Sequence, residues 1–303
     1  VALSPLIVTA ALISPDLLGV TIASLGLWLW ARERPVAAGV ALGLATSART
    51  YPVLIAVAIA LLASRAGAGR LGARTLGVTL LTWTGVTVAA GSVTGWSVLR
   101  PYEAWAAAAA DYGSPWFLIR LVGREVTPTA VTVLAVAGWV TAVAVAGAFA
   151  LMARRRPTVA EVALVLVAIV LVTGKSFPVQ SSLWLLPLAA LAGVRWRDHL
   201  IWAGAEVVYF VAVWLYLGGT YDANRALPMG WYAVFTVLRF AGIAWLVWSV
   251  VRPALARPEA EEEAGDREAE DAAAALARAI AEDPDDLAGP LAGRRDAFVV
   301  AVS

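Results

Sequence analysis

Residues 128–152 read PTAVTVLAVAGWVTAVAVAGAFALM, a stretch without one charged side chain. A helix needs about 20 apolar residues to cross the hydrocarbon core of a bilayer, so this run is long enough. Working outward from it, further apolar segments fall at approximately 1–13, 17–31, 36–48, 52–64, 75–95, 158–173, 183–194, 200–217 and 231–251. The chain is 61% hydrophobic with a mean hydropathy of +0.77, whereas soluble domains hold about 45–50% apolar residues. The expected fold is therefore all-α, a polytopic helical membrane protein of about ten apolar segments. Several segments are too short to cross alone, which predicts broken or tilted helices among them.

Charge divides the chain in two. Residues 1–257 carry a net +10 and residues 258–303 a net −9, so the overall +1 is an average of unlike parts. The basic excess lies in short loops beside apolar segments, which points to membrane topology and not to nucleic acid. With the 31–35 loop placed in the cytoplasm, that side receives 12 Arg. The other receives six cations, Arg49, Arg100, Arg120, Arg124, Lys175 and Arg225. This bias predicts a multi-pass plasma-membrane protein with its C-terminal tail in the cytoplasm. Residues 1–253 read as the transmembrane domain. Residues 254–303 read as an acidic tail, expected to be disordered. The chain opens at Val1 inside an apolar run, so upstream sequence is expected to precede it.

Within the membrane part, charges are few and each needs a reason. Asp16, in Ser14-Pro15-Asp16, has two open readings. It caps the helix that follows, or it serves as a carboxylate base or sugar-hydroxyl ligand facing an outer cavity. Arg49, in Arg49-Thr50-Tyr51-Pro52, forms the tip of a predicted hairpin, with Pro52 disfavouring helix at Tyr51. It either snorkels to the headgroups or binds a phosphate. Lys175, the only Lys in the chain, and Gln180 lie at the mouth of another short pair. Arg120 and Arg124 read as interface anchors that Asp111 caps or pairs with. Trp96, Tyr102, Trp105, Tyr112 and Trp116 predict an amphipathic element at headgroup level over 96–127. Glu206 and Arg239 fall inside apolar segments, where pairing would spare both. Glu161 lies one turn from Arg156. One His, no Cys and no phosphate-loop or dinucleotide fingerprint leave no metal or nucleotide cofactor to expect.

Four stretches together resemble glycosyltransferase family 87, membrane mannosyltransferases of the GT-C superfamily, especially actinobacterial members. Ser14 to Leu18, with Arg32–Pro35 and the Ala/Gly-rich 38–44, is similar to the family's Asn-Trp-Asp-Leu-Leu segment and the helix after it. Ala48-Arg49-Thr50-Tyr51-Pro52 resembles its Ala-Lys-x-Tyr-Pro. Asp111 to Trp116 is similar to its outer-loop Gly-Ser-x-Trp. Lys175 to Pro187 keeps Lys175, Gln180, Trp184 and Pro187 at the family's spacing. The resemblance covers approximately residues 1–253. Arg49 stands where the family has Lys, and Pro-Val-Gln-Ser replaces its Ser-Pro-Gln-Tyr.

The resemblance implies transfer of a sugar, usually mannose, from a polyprenyl-phosphate donor to a lipid-linked acceptor on the outer face of the membrane. It implies no cofactor and no soluble nucleotide sugar at that site. Asp16 becomes the candidate base, and Arg49, Lys175 and Gln180 the candidate ligands of the donor phosphate. Tyr51, Asp111, Trp116, Arg120 and Arg124 become candidate substrate contacts. The family's proposed catalytic aspartate lies in the first outer loop after an N-terminal helix, and Asp16 matches a later acid. A lipid-carrier flippase and an inactive scaffold of envelope biosynthesis are the alternative readings.

Overall fold

The computed structural model describes residues 4–10, 16–222, 226–256 and 287–297. Ser14, Arg225, Arg257 and most of the acidic tail lie outside the described residues. Among those described there are twelve α-helices and no strand. They are α1 (Pro5–Ala10), α2 (Asp16–Ala31), α3 (Pro35–Ala48), α4 (Pro52–Arg65), α5 (Gly69–Thr94), α6 (Arg100–Ala107), α7 (Pro115–Leu121), α8 (Pro128–Met152), α9 (Val159–Thr173), α10 (Leu186–Leu191), α11 (Trp196–Gly218) and α12 (Met229–Leu255). The helical membrane fold read from hydropathy is the one observed.

Helices α5, α8, α11 and α12 are long and apolar enough to cross a membrane, at about 35–40 Å each for a 1.5 Å rise per residue. The short ones solve the length problem differently. Helix α9 is apolar on all sides and buried along almost its whole length, as a helix without a polar face must be. After it the chain returns through a 3-10 stretch, Val179–Trp184, and then α10. Such irregular backbone is tolerated at membrane depth when protein surrounds it. Here Ser181, Ser182, Leu183, Leu185 and Leu186 are all buried.

Small residues let the helices approach. Gly39 and Gly43 of α3 face α5, where a Cβ at Gly43 would lie 2.6 Å from the Thr79 carbonyl oxygen and 2.5 Å from Thr82 Cβ. This is the close packing that glycines four apart permit. Thr75 and Thr79 bury their hydroxyls in the same contact by donating to the carbonyls of Leu71 and Thr75. On α8 the stripe Ala135, Gly138, Ala142 and Ala146 is buried, and a Cβ at Gly138 would collide with Thr173 of α9.

One charged pair lies inside the bundle. Arg239 of α12 is fully buried, and its Nε donates to Glu206 Oε2 of α11 at 2.9 Å. Ser182 of the 3-10 stretch donates to the same oxygen at 2.6 Å. Arg239 Nη1 donates to the Phe177 carbonyl, and Nη2 to Ser182 Oγ and the Pro178 carbonyl. The guanidinium carbon lies 3.4 Å from the centre of the Phe177 ring and 4.4 Å from that of Tyr209. The pairing expected of Glu206 and Arg239 is therefore present, and it also fixes the turn at 177–182.

Two outcomes follow for the folded protein. Gly43→Val should lower the thermal midpoint of the purified protein in detergent, by an overpacking cost of about 1–3 kcal/mol. Gly85→Ala should leave it unchanged, because nothing lies within 4 Å of a Cβ there. Arg239→Met should cost about 3–5 kcal/mol by stranding the Glu206 charge, and adding Glu206→Gln should recover part of that. A single variant as stable as the parent in a denaturant titration would exclude the pair as a structural bolt.

Candidate active site

Asp16 is the first residue of α2, where a carboxylate interacts favourably with the positive end of the helix dipole. It is 1% exposed. Across from it α3 ends at Arg49, whose backbone is extended, with φ −153° and ψ 140°. Arg49 Nε donates to Asp16 Oδ1, joining residues 33 apart. The Arg49 stem passes over Gly19, one turn after Asp16, at 3.6 Å from where a Cβ would sit. Its side chain is 42% exposed and Asp16's is 2%, so the acid lies under the arginine. Nε makes the one side-chain hydrogen bond of Arg49 among the described residues, so Nη1 and Nη2 carry none there and have the geometry to meet an oxyanion.

The helix break at this tip differs from expectation. Pro52 predicts an extended Tyr51, yet Tyr51 is helical (φ −60°, ψ −31°) and the extended residue is Arg49. Tertiary packing outweighs the local preference. The Tyr51 ring is buried and stacks on Trp184 with centroids 4.5 Å apart, and its carbonyl accepts from Leu54 N. Tyr51 Oη and Trp184 Nε1 are buried without a hydrogen-bond partner among the described residues. Trp30, Trp83 and Trp202 Nε1 and Glu206 Oε1 share this condition, so it does not by itself mark the site.

A second contact set joins the 111–114 segment to the turn after α9. Asp111 N donates to the Lys175 carbonyl and Phe177 N to the Tyr112 carbonyl, at 2.9 and 3.0 Å. Gly113 sits between, with φ +78°, and its N donates to Tyr232 Oη at 2.9 Å. A Cβ there would meet the Phe177 carbonyl oxygen at 2.2 Å. Both its backbone conformation and its surroundings exclude any side chain. Ser114 caps α7 by accepting from Phe117 N.

The remaining predicted residues separate. Lys175 is 2% exposed, and its Nζ donates to the carbonyls of Trp105, Ala106 and Ala108 at 2.6, 2.9 and 3.0 Å. All three ammonium protons are thus used at the C-terminal end of α6, and burial lowers the group's pKa from the ordinary lysine value. Gln180 is half-buried on the 3-10 stretch, which packs against α1, α2 and α11. Asp111 Oδ1 accepts from Tyr112 N. Arg120 donates to the Ala110 carbonyl and lies over the Phe117 ring, while Arg124 is exposed. Asp111 therefore pairs with neither arginine.

The 96–127 region also divides. Helix α6 is exposed throughout, as an interfacial element is expected to be. Tyr112 and Trp116 instead point inward. Tyr112 packs edge-on against Tyr216 and Tyr232, and Trp116 Nε1 donates to the Thr173 carbonyl.

Trp184 and Gly113 lie in these family-like stretches, yet the sequence alone does not single them out as site residues. Nothing local marks Trp184, since its partner Tyr51 lies 133 positions away. Gly113 carries the usual signal of a glycine in a turn.

The four stretches, scattered from Asp16 to Trp184, thus connect through Asp16–Arg49, Tyr51–Trp184 and the 111–177 backbone pairing. The model of glycosyltransferase family 87 matches residues 1–176, more than half of the chain. No curated protein and no solved structure matches it. A helical membrane architecture and a family match spanning the Asp16–Arg49 tip and the outer loop lead to one conclusion: the chain belongs to glycosyltransferase family 87 and is a membrane glycosyltransferase, with a sugar donor and an acceptor as its substrates.

Proposed function

We propose that the protein transfers a mannosyl or other hexosyl residue from a polyprenyl-phosphate donor to a lipid-linked acceptor, at the outer face of the plasma membrane. The observation that carries this reading is the Asp16–Arg49 pair beside the Tyr51–Trp184 stack. It sets one carboxylate, one partly exposed guanidinium and two polar atoms without a hydrogen-bond partner among the described residues against an aromatic surface. Such a set suits a ligand that is at once a phosphate ester and a polyol.

In this mechanism Arg49 presents Nη1 and Nη2 to the donor phosphate, with Gln180 as a further ligand. The acceptor hydroxyl gives its proton to Asp16 as its oxygen attacks the anomeric carbon. The bond from that carbon to the phosphate oxygen breaks, and its electron pair leaves with the polyprenyl phosphate. Proton removal and charge stabilisation are the two contributions the site supplies. Tyr51 Oη and Trp184 Nε1 orient sugar hydroxyls. Lys175 positions the outer helix α6 through its three carbonyl contacts. Asp111, Trp116, Arg120 and Arg124 shape the outer loop around the substrates. The flippase alternative needs the same phosphate ligand but no base.

Radiolabelled mannose transfer from polyprenyl-phosphate-mannose, in membranes holding the chain and in empty membranes, tests the reading. Product above background is expected. Asp16→Asn should lower turnover by about 100-fold or more, the scale of general-base catalysis. Full retention of transfer by this variant would remove Asp16 from the mechanism. Arg49→Ala should raise the apparent KM for the donor by about 10- to 150-fold, for a charge-assisted contact of about 1.5–3 kcal/mol. An unchanged KM would release Arg49 from the phosphate role. Lipid movement without sugar transfer would favour the flippase.

A further inference from the structure

Residues 287–297 return to the bundle at the end opposite Asp16 and Arg49. Arg65, in the last turn of α4, is fully buried, and a buried guanidinium requires a counter-charge. Its Nη1 donates to the Ala150 carbonyl at 2.9 Å, and Nε and Nη2 both reach Asp296 Oδ2 at 2.9 Å. Arg156, in the loop between α8 and α9, donates through Nε to the other oxygen, Asp296 Oδ1, at 2.6 Å. Arg156 also donates to the carbonyls of Leu291 and Arg294, and Ala297 N donates to the Arg65 carbonyl at 2.8 Å. Glu161, one turn from Arg156, pairs instead with Arg155.

Apolar contact completes the seat. Leu291 is 2% exposed. Gly289, with φ +49°, lies so close to α2 that a Cβ would stand 2.2 Å from the Trp30 carbonyl oxygen. The end of α12 lies close to the seat. Arg154 N donates to the Ala254 carbonyl at the end of α12, two positions before the arginine that receives the returning segment.

We propose that residues 287–297 are an intramolecular clasp, seated across the ends of α2 and α4 and the α8–α9 loop, with Asp296 as its latch. One carboxylate bridges two guanidiniums on separate elements. The clasp therefore fixes α4 against the α8–α9 loop and closes over α2. Removing its charge strands a buried arginine, so the seat and the latch depend on each other. The clasp lies about 20–25 Å along α2 and α4 from the candidate active site, at 1.5 Å per residue. It stands or falls independently of the glycosyl-transfer reading.

The chain has no Cys, so one introduced cysteine reports one position. Full-length Leu291→Cys protein in nanodiscs is labelled with a membrane-impermeant maleimide, with Arg295→Cys as the exposed reference and Ala163→Cys as the core reference. The expected rate for Leu291→Cys is at least about tenfold below that of Arg295→Cys, as protection by a docked segment requires. Adding Asp296→Asn, or separately Arg156→Gln, should bring the rate to within about threefold of the exposed reference. Ala163→Cys should stay closed in the same backgrounds. If Asp296→Asn opens Ala163→Cys, it has unfolded the bundle and Arg156→Gln decides. Fast labelling of Leu291→Cys in the otherwise unaltered chain would overturn the clasp. Unchanged protection in the deciding variants would overturn Asp296 as its latch.

Discussion

The membrane part of this protein depends on one constraint: a charge or backbone polar group at bilayer depth must find its partner within the protein. In the Glu206–Arg239 pair, Glu206 Oε2 accepts from both Arg239 and Ser182, while Oε1 is buried without a hydrogen-bond partner among the described residues. Two charges from α11 and α12 neutralise each other, and the remaining N–H groups of Arg239 serve carbonyls that no regular helix would satisfy. The break between α9 and α10 is possible because Arg239 donates to the carbonyls of Phe177 and Pro178, while Ser182 of the break donates to Glu206. That break carries Lys175, Gln180 and Trp184, so an ion pair outside the candidate site decides where several of its residues stand.

The same requirement recurs with different partners. Lys175 is satisfied by three carbonyls at the C-terminal end of α6, where cations are favoured. Asp16 is held under Arg49 at the start of α2. Arg65 takes its counter-charge from a residue 231 positions away. Of these, Arg49 combines substantial exposure with Nη groups that make no hydrogen bond among the described residues. That separates it from the structural cations and is what its proposed role as a phosphate ligand rests on.

The structure brings some of the site residues named from the sequence together and separates others. Asp16 and Arg49, drawn from separate turns, do meet, and the outer-loop stretch does pair with the stretch after α9. Lys175 attracted attention as the only lysine, yet its geometry commits it to α6. Gly113 is required by a left-handed backbone and by the Phe177 carbonyl against it, a reason visible only once both strands of that contact are placed.

By itself the sequence determined the helical membrane class, the positions of the apolar segments, the break at Arg49–Pro52 and the family. Each of these is written locally, in runs of apolar residues, in proline positions and in short motifs. Only the tertiary structure decided which partner each buried charge takes, that Tyr51 is helical and stacked on Trp184, and that part of the acidic tail's far end docks on Arg65 and Arg156. Those outcomes depend on residues tens to hundreds of positions apart coming within a few ångströms. Hydropathy and spacing fix where a charge lies along the chain, but the choice among possible partners is made by helix packing.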